Sequence, residues 1–164
     1  MREATAADFD LVYDIYMDES VNPFMRYEPM DKDLFLEAFD DLMSRDYFWI
    51  FQNDKGQDCG MGSAVLYDGR LGHVAEIRSL GIKKEAQGKG LGRRVMGEIV
   101  SALMDKNIER IQLFAESDNE NGLKFYDSLG FEREGVMKNY FQRGDGHYVD
   151  EIVFGLTDFD RFRN

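Results

Sequence analysis

Residues 85–94, Glu-Ala-Gln-Gly-Lys-Gly-Leu-Gly-Arg-Arg, combine two things that attract anions, bare backbone and positive charge. Gly88, Gly90 and Gly92 alternate with larger residues just ahead of an apolar run that reads as a helix. Glycines between a strand and a helix N-terminus let main-chain N–H groups close on an anion, and the helix dipole favours negative charge there. Lys83, Lys84, Lys89, Arg93 and Arg94 place five bases within twelve residues, against the single acid Glu85. Arg93 and Arg94 fall in the first helical turn, where a cation is unfavourable unless an anion occupies the site. The alternative is a solvated basic patch that closes a tight turn.

Two common owners of such a loop are excluded by residue type. A Walker A loop needs a hydroxyl directly after its Gly-Lys to hold Mg²⁺, and Gly88-Lys89 is followed by Gly90. A dinucleotide fingerprint needs glycine where Arg93 stands. What remains is the shared physics of an anion cradle.

The elements that must position this loop follow from hydrophobic period. Residues 5–19 read as a helix that Thr5 and Asp8 can cap, with Phe9, Val12, Ile15 and Tyr16 on one side. A second helix is expected over 31–44, and Pro23 and Pro29 bracket an irregular loop between the two. The period then changes to that of strands over 47–52, 61–68 and 73–82, with a turn through 53–60. In the third strand, alternation puts Val74, Glu76, Arg78, Leu80 and Ile82 on one face unless a bulge intervenes. A helix over 91–105 carries the stripe Leu91, Val95, Ile99 and Leu103, and 110–116 reads as a strand. Ser117 to Glu120 has the form of a capping box opening a helix that Gly130 closes. Strands over 131–138 and 147–155 follow. The order implies an α/β fold, a mixed sheet flanked by helices.

At 164 residues, one domain spanning 1–164 is expected. The net charge of −12 opposes nucleic acid and anionic membranes and suits either plain solubility or a cationic partner. A single cysteine, Cys59, excludes an intramolecular disulfide and fits a reducing compartment. No apolar run approaches membrane length and residues 1–10 lack the apolar core of a signal peptide, so a cytoplasmic location is expected.

Two blocks carry a family resemblance. Gln87-x-x-Gly90-x-Gly92, after a strand ending Leu80-Gly81-Ile82, resembles the Q/RxxGxG/A signature of the GNAT superfamily of acyl-CoA N-acyltransferases. Residues 119–131, Asn-Glu-Asn-Gly-Leu-Lys-Phe-Tyr-Asp-Ser-Leu-Gly-Phe, resemble its NxxAxxLYxxLGF helix, with Gly122 in the place of alanine, a change that loosens a helix. The two blocks occur in the family's order and spacing. Lys138-Asn139-Tyr140-Phe141 followed by Gly146-His147-Tyr148-Val149-Asp150 is similar to the subset of the family that includes amino-acid, polyamine and antibiotic-type N-acetyltransferases.

The resemblance implies a centrally splayed sheet of about six or seven strands with about four helices. It implies that Gln87, Gly88, Lys89, Gly90, Leu91 and Gly92 wrap the pyrophosphate of acetyl-CoA, with Lys89 and Arg93 or Arg94 near its phosphates. Leu80 and Ile82 would pair their main chain with the pantetheine arm, and an N–H near Gly81–Ile82 would polarise the thioester carbonyl. Because an amine with pKa near 10 is free base in about one molecule in a few thousand at neutral pH, a proton acceptor is required. Glu76, fourteen residues before Gly90, matches the catalytic glutamate of the histone-acetylating branch. Its alternative is a strand glutamate paired with Arg78. Tyr126 matches the family's tyrosine that assists the leaving thiolate, or else is a core aromatic. Asn119 either contacts the pantetheine, orders the strand end or only starts a helix.

Arg26 and Tyr27, in the loop that shapes acceptor sites in this family, and Tyr140 are the candidate substrate contacts. The expected acceptor is a small-molecule primary amine, with protein N-termini or lysines as the alternative and a non-catalytic acyl-CoA-binding domain as a third. No metal, nucleic acid or membrane is expected, and a homodimer is admitted. Cys59, placed in the hairpin turn, is discounted as an acyl carrier, and His73 and His147 have no metal-ligand spacing.

Overall fold

The computed structural model describes residues 1–163; Asn164, the last residue of the expected domain, lies outside the described residues. Seven strands are present: β1 (Arg2–Glu3), β2 (Tyr47–Gln52), β3 (Asp58–Leu66), β4 (Val74–Ile82), β5 (Arg110–Glu116), β6 (Glu132–Gln142) and β7 (Tyr148–Leu156). They form one open sheet in the order β1-β2-β3-β4-β5-β7-β6. β4 and β5 run parallel, Val74–Glu76 against Arg110–Gln112, whereas β1–β2, β2–β3, β5–β7 and β6–β7 are antiparallel. The sheet is therefore mixed, as the element order implies. Four α-helices accompany it: α1 (Phe9–Tyr16), α2 (Lys32–Met43), α3 (Leu91–Met104) and α4 (Glu120–Leu129). None of the described helices is long and apolar enough to cross a membrane.

The chain divides into two compact units, the first made of Met1–Leu66 with Ile77–Ile99, the second of Tyr67–Glu76 with the residues from Val100 onward. In the first, α1 buries Val12, Ile15 and Tyr16, α2 buries Phe35, Phe39 and Leu42, and the two helices cover Phe48, Ile50 and Met61 of the sheet. Phe9 meets Phe39 edge-on at 5.2 Å and Tyr13 meets Phe35 likewise at 5.4 Å. Such pairs add about 0.5–1.5 kcal/mol each beyond the area they bury.

Three boundaries in this unit differ from the sequence expectation. The helix expected over 5–19 is a 3-10 turn over Ala6–Asp8 followed by the shorter α1. The Asp8 carboxylate accepts from the Thr5 N–H at 2.8 Å and from Arg2 at 2.6 Å, which lowers its pKa to about 2, led by the Arg2 bond. Past Tyr16, the Asp18 carboxylate takes the Ser20 N–H and hydroxyl, a local turn that competes with helix. β1 carries too few residues to show any period. It is fixed by Arg2, which also bonds Asp58 at 2.6 Å. β3 begins at Asp58 rather than 61, because the Asn53 side chain closes a tighter turn by accepting from the N–H groups of Lys55 and Gln57. Cys59 is consequently a buried strand residue and not a turn residue, its Sγ 3.6 Å from the Phe51 carbonyl.

In the second unit, Ile111, Leu113 and Ala115 of β5 and Ile152, Phe154 and Leu156 of β7 are buried. β6 runs four residues beyond the expected 138. A left-handed Asn139 (φ 52°) breaks its register, and the Asp150 carboxylate stands in for the lost ladder partner by accepting from the Asn139 N–H at 3.0 Å and from Lys138 at 2.6 Å.

α4 is capped by Asn119, not Ser117: the Asn119 side chain accepts from the Gly122 N–H at 2.9 Å, and Gly130 ends the helix in the left-handed region (φ 93°). The cap also accounts for Gly122. A Cβ there would lie 2.6–2.9 Å from the Asn119 side-chain atoms. Gly122→Ala should thus gain about 1 kcal/mol of helix propensity and lose a comparable cap, for a net change below about 1 kcal/mol. In that background Asn119→Ala should be nearly silent in urea denaturation, whereas alone it should cost about 0.5–2 kcal/mol. A cap that remains costly to remove from Gly122→Ala would contradict this coupling.

Candidate active site

Beyond β4 the chain makes a 3-10 turn over Lys84–Ala86 and enters the glycine loop ahead of α3. Gly88 and Gly90 are left-handed, φ 73° and 77°, and a Cβ at either would meet nothing within 4 Å. Glycine is needed there for its dihedral angle, not for room. Among the described residues, the N–H groups of Gly88, Lys89, Gly90, Leu91 and Gly92 donate to no protein acceptor. Five successive bare donors at a helix start, with alternating backbone hand, form an anion-binding concavity. The loop is tied at its base, where the Gln87 amide donates to the Ile82 carbonyl at 2.8 Å, and across its middle, where Lys89 Nζ donates to the Glu85 carbonyl at 2.8 Å.

The nearby side-chain charge is more evenly balanced than the sequence suggests. Arg94 donates to the Gln52 carbonyl at 2.5 Å and faces Glu98 at 3.3 Å and Asp54 at 3.6 Å, so carboxylates meet its charge. An open cleft of about 740 Å³ borders the loop and includes Cys59, which is therefore not remote from the first motif. Its lining bases, Lys55, Lys83, Lys89 and Arg94, face Asp54, Asp58 and Glu85. Preference for an anion thus rests on the bare main chain.

β4 itself is kinked. Ser79 is left-handed (φ 51°), which breaks the expected alternation along the strand and costs about 1–2 kcal/mol for a residue with a side chain. Arg45, in the connection between α2 and β2, meets it there: one guanidinium nitrogen donates to the Ser63 Oγ at 2.7 Å and to the Ser79 Oγ at 2.9 Å. Hydrogen bonds to a charged partner contribute about 1.5–3 kcal/mol, enough to hold the kink.

The expected base lies in the second unit. Glu76 is 6% exposed, and the Tyr67 hydroxyl donates to its Oε2 at 2.6 Å. The same hydroxyl accepts from the Gln112 side chain at 3.1 Å, and Gln112 sits opposite Glu76 in the parallel register. A hydroxyl that is itself held by an amide therefore orients the carboxylate. Tyr67 and Gln112 were not legible as site residues; the only signal was a polar residue inside the apolar strand 110–116.

Tyr126 packs its ring against Phe125, Phe131 and Phe154 at 5.4–5.9 Å. Burial, with the charge of Glu116, pushes its hydroxyl up to about 12. Glu116 closes β5, is 7% exposed, and is itself pushed up to about 7, chiefly by burial, with Arg143 acting in the opposite sense. Directly across the ladder from it stands Glu151, raised by burial and then by the charge of Glu76. Neither glutamate was singled out in the sequence, where Glu116 ends the expected strand 110–116 and Glu151 lies within the expected strand 147–155. Among the described residues, no group of His, Cys, Asp and Glu side chains is placed to hold a metal ion.

Of the candidate acceptor contacts, Arg26 and Tyr27 come together in the first unit, the guanidinium 5.5 Å from the ring centre. Asn22 pins that loop by donating to the carbonyls of Tyr16 and Tyr27, each at 3.1 Å. Tyr140 lies on β6 in the second unit and is 63% exposed. Asn119 caps α4, the helix-start role among its alternatives.

Glu116 links the site to stability. Its pKa rises from 4.5 to about 7 on folding, so between these values the folded chain binds more protons than the unfolded one. Stability must then fall as pH rises through that window. Urea unfolding should show the protein more stable at pH 5 than at pH 7.5 by an amount on the order of a few kcal/mol, and Glu116→Gln should remove most of the difference. An undiminished slope in Glu116→Gln would contradict the assignment.

Comparison with known proteins identifies this architecture. Residues 9–131 match the model of the acetyltransferase (GNAT) family. The chain is 28% identical over 104 residues to the mycothiol acetyltransferase of Arthrobacter sp. (strain FB24), covering 62% of this chain and 32% of that protein. It is 26% identical over 109 residues to the [ribosomal protein bS18]-alanine N-acetyltransferase of Escherichia coli (strain K12), 66% of this chain and 69% of that protein. Among solved structures, spermidine N-acetyltransferase from Vibrio cholerae in complex with CoA and spermine superimposes with a TM-score of 0.80 at 18% identity, covering 94% of this chain and 92% of that one. The chain thus spans about a third of the mycothiol acetyltransferase and most of the other two. With a matching segment that holds the glycine loop, Glu76 and Tyr126, the chain belongs to the acetyltransferase (GNAT) family.

Proposed function

We propose that this chain, acting as one domain in the cytoplasm, transfers an acetyl group from acetyl-CoA to the primary amine of a small molecule by direct transfer in a ternary complex. The observation that carries it is the run of bare N–H groups from Gly88 to Gly92, a fit for a pyrophosphate. Acetyl-CoA supplies, when bound, an acyl group already activated as a thioester. The main chain of Leu80, Gly81 and Ile82 lies along the pantetheine and polarises the thioester carbonyl. Gln87 assists by holding the loop to Ile82.

Glu76 takes a proton from the acceptor ammonium, and the Tyr67 hydroxyl and Gln112 keep its carboxylate aimed. Tyr126, with its hydroxyl at about 12, remains protonated through the neutral range and lends the leaving sulfur a hydrogen bond. Full transfer of that proton to a thiolate of pKa near 8.5 is uphill by about three to four units, so the donor role is electrostatic.

The net charge of −12 and the half-buried or buried carboxylates Glu76, Glu116 and Glu151 favour a cationic acceptor such as a polyamine or amino acid. A second reading, acetylation of a protein N-terminus, draws support from the likeness to the ribosomal-protein alanine acetyltransferase.

A screen of free amines and amino-terminal peptides with acetyl-CoA, read by thiol release, decides between them. Release with free amines supports the proposal, release with peptides alone supports the second reading, and CoA binding without transfer to either would overturn both. With the acceptor in hand, Glu76→Gln should lower kcat by about 10²-fold and Tyr126→Phe by about tenfold, with acetyl-CoA affinity within about threefold of wild type. Full turnover in both variants would remove these two roles.

A further inference from the structure

We propose that Arg45 is a positioning residue for acyl transfer, clamping the kink in β4 so that the main chain of Leu80–Ile82 is presented to the donor thioester. The proposal rests on the reading above in which that main chain serves acetyl-CoA.

Arg45 approaches β4 from outside the strand, and its side chain is only 7% exposed. One of its guanidinium nitrogens bridges two hydroxyls, Ser63 at 2.7 Å and Ser79 at 2.9 Å. The other donates to the Asp41 carboxylate at 2.8 Å, which balances the buried charge. Ser63, fully buried in β3, passes the grip on by donating to the Arg78 carbonyl at 3.0 Å. The left-handed residue is therefore held on both sides, at the carbonyl that precedes it and at its own hydroxyl.

A serine in the left-handed region returns to an extended conformation unless its surroundings prevent it. Released, residue 79 would restore the regular alternation of β4 and turn the peptide groups that follow. A rigid fork is required to span two hydroxyls and a carboxylate at once, which guanidinium provides and ammonium does not. Arg45 and Ser79 lie 34 residues apart in sequence and belong to no motif. Nothing about Arg45 requires contact with substrate.

The carbonyl stretch of acetyl-CoA labelled with ¹³C at the thioester carbon tests this directly, because it reports polarisation by main-chain donors and needs no acceptor. Wild type, Ser79→Ala, Ser79→Gly and Arg45→Lys are compared, with donor affinity measured by calorimetry. Binding to wild type should lower the stretching frequency. Ser79→Ala and Arg45→Lys should lose most of that shift and about tenfold in kcat, with donor affinity changed by less than about threefold. Ser79→Gly, which keeps the left-handed angle without strain, should retain more of the shift than Ser79→Ala. A wild-type shift in Ser79→Ala overturns the clamp alone, whereas no shift in wild type despite binding overturns the main-chain polarisation of the thioester and the clamp with it. A wild type that does not bind acetyl-CoA overturns the donor reading and the clamp with it. Should Arg45→Lys fail to fold, the two Ser79 variants carry the test.

Discussion

Everything proposed for this chain depends on keeping a stretch of backbone unsatisfied. Buried N–H groups are ordinarily paired, and a helix start leaves its first donors without intrahelical partners, open to side chains, water or a ligand. Here five successive donors, Gly88 to Gly92, have no protein acceptor among the described residues. Left-handed glycines at 88 and 90 shape the concavity, and Gln87 and Lys89 tie it to the carbonyls of Ile82 and Glu85. Behind it, the buried stripe Leu91, Val95, Ile99 and Leu103 anchors α3. The loop is thus flexible in composition and held in place by its surroundings. Preorganised N–H groups favour an anion without the reorganisation that water would need.

The same reliance on main-chain geometry appears one strand earlier, where a serine takes a conformation normally left to glycine. A glycine at 79 would adopt it freely but would also leave it freely. A serine held by a guanidinium is a stiffer solution, and its strain is offset by charge-assisted bonds contributed from distant parts of the chain. In the second unit the device is electrostatic: Glu116, Glu151 and Glu76 share one environment, and burial raises the first two toward neutrality. A carboxyl pushed up to about 7, as that of Glu116 is, is poised to exchange protons near neutrality, with some loss of stability as pH rises.

The sequence made legible what depends on neighbours along the chain. The strands 47–52 and 110–116 match β2 and β5 residue for residue, α3 begins at Leu91 as its composition places it, and the cap of α4 falls two residues beyond the expected Ser117. The glycine loop was readable because φ above zero and bare N–H groups are written in consecutive residues. Features that join distant residues were not readable. Tyr67 and Gln112 are 45 positions apart, and each alone is an unremarked polar or aromatic residue. Arg45 sits in a short connection between elements, and Glu116 gains its raised pKa only from what is packed around it. The Gly122 departure from the family pattern looked like a weakness, and it makes room for the Asn119 cap.

The proposed donor site makes a claim that one measurement can judge. In an amide ¹H–¹⁵N spectrum of the protein titrated with CoA, the resonances of Gly88, Gly90 and Gly92 should move downfield and saturate together, as their N–H groups take up the pyrophosphate. Saturable CoA binding that leaves all three unmoved, or no binding at all, would contradict the account.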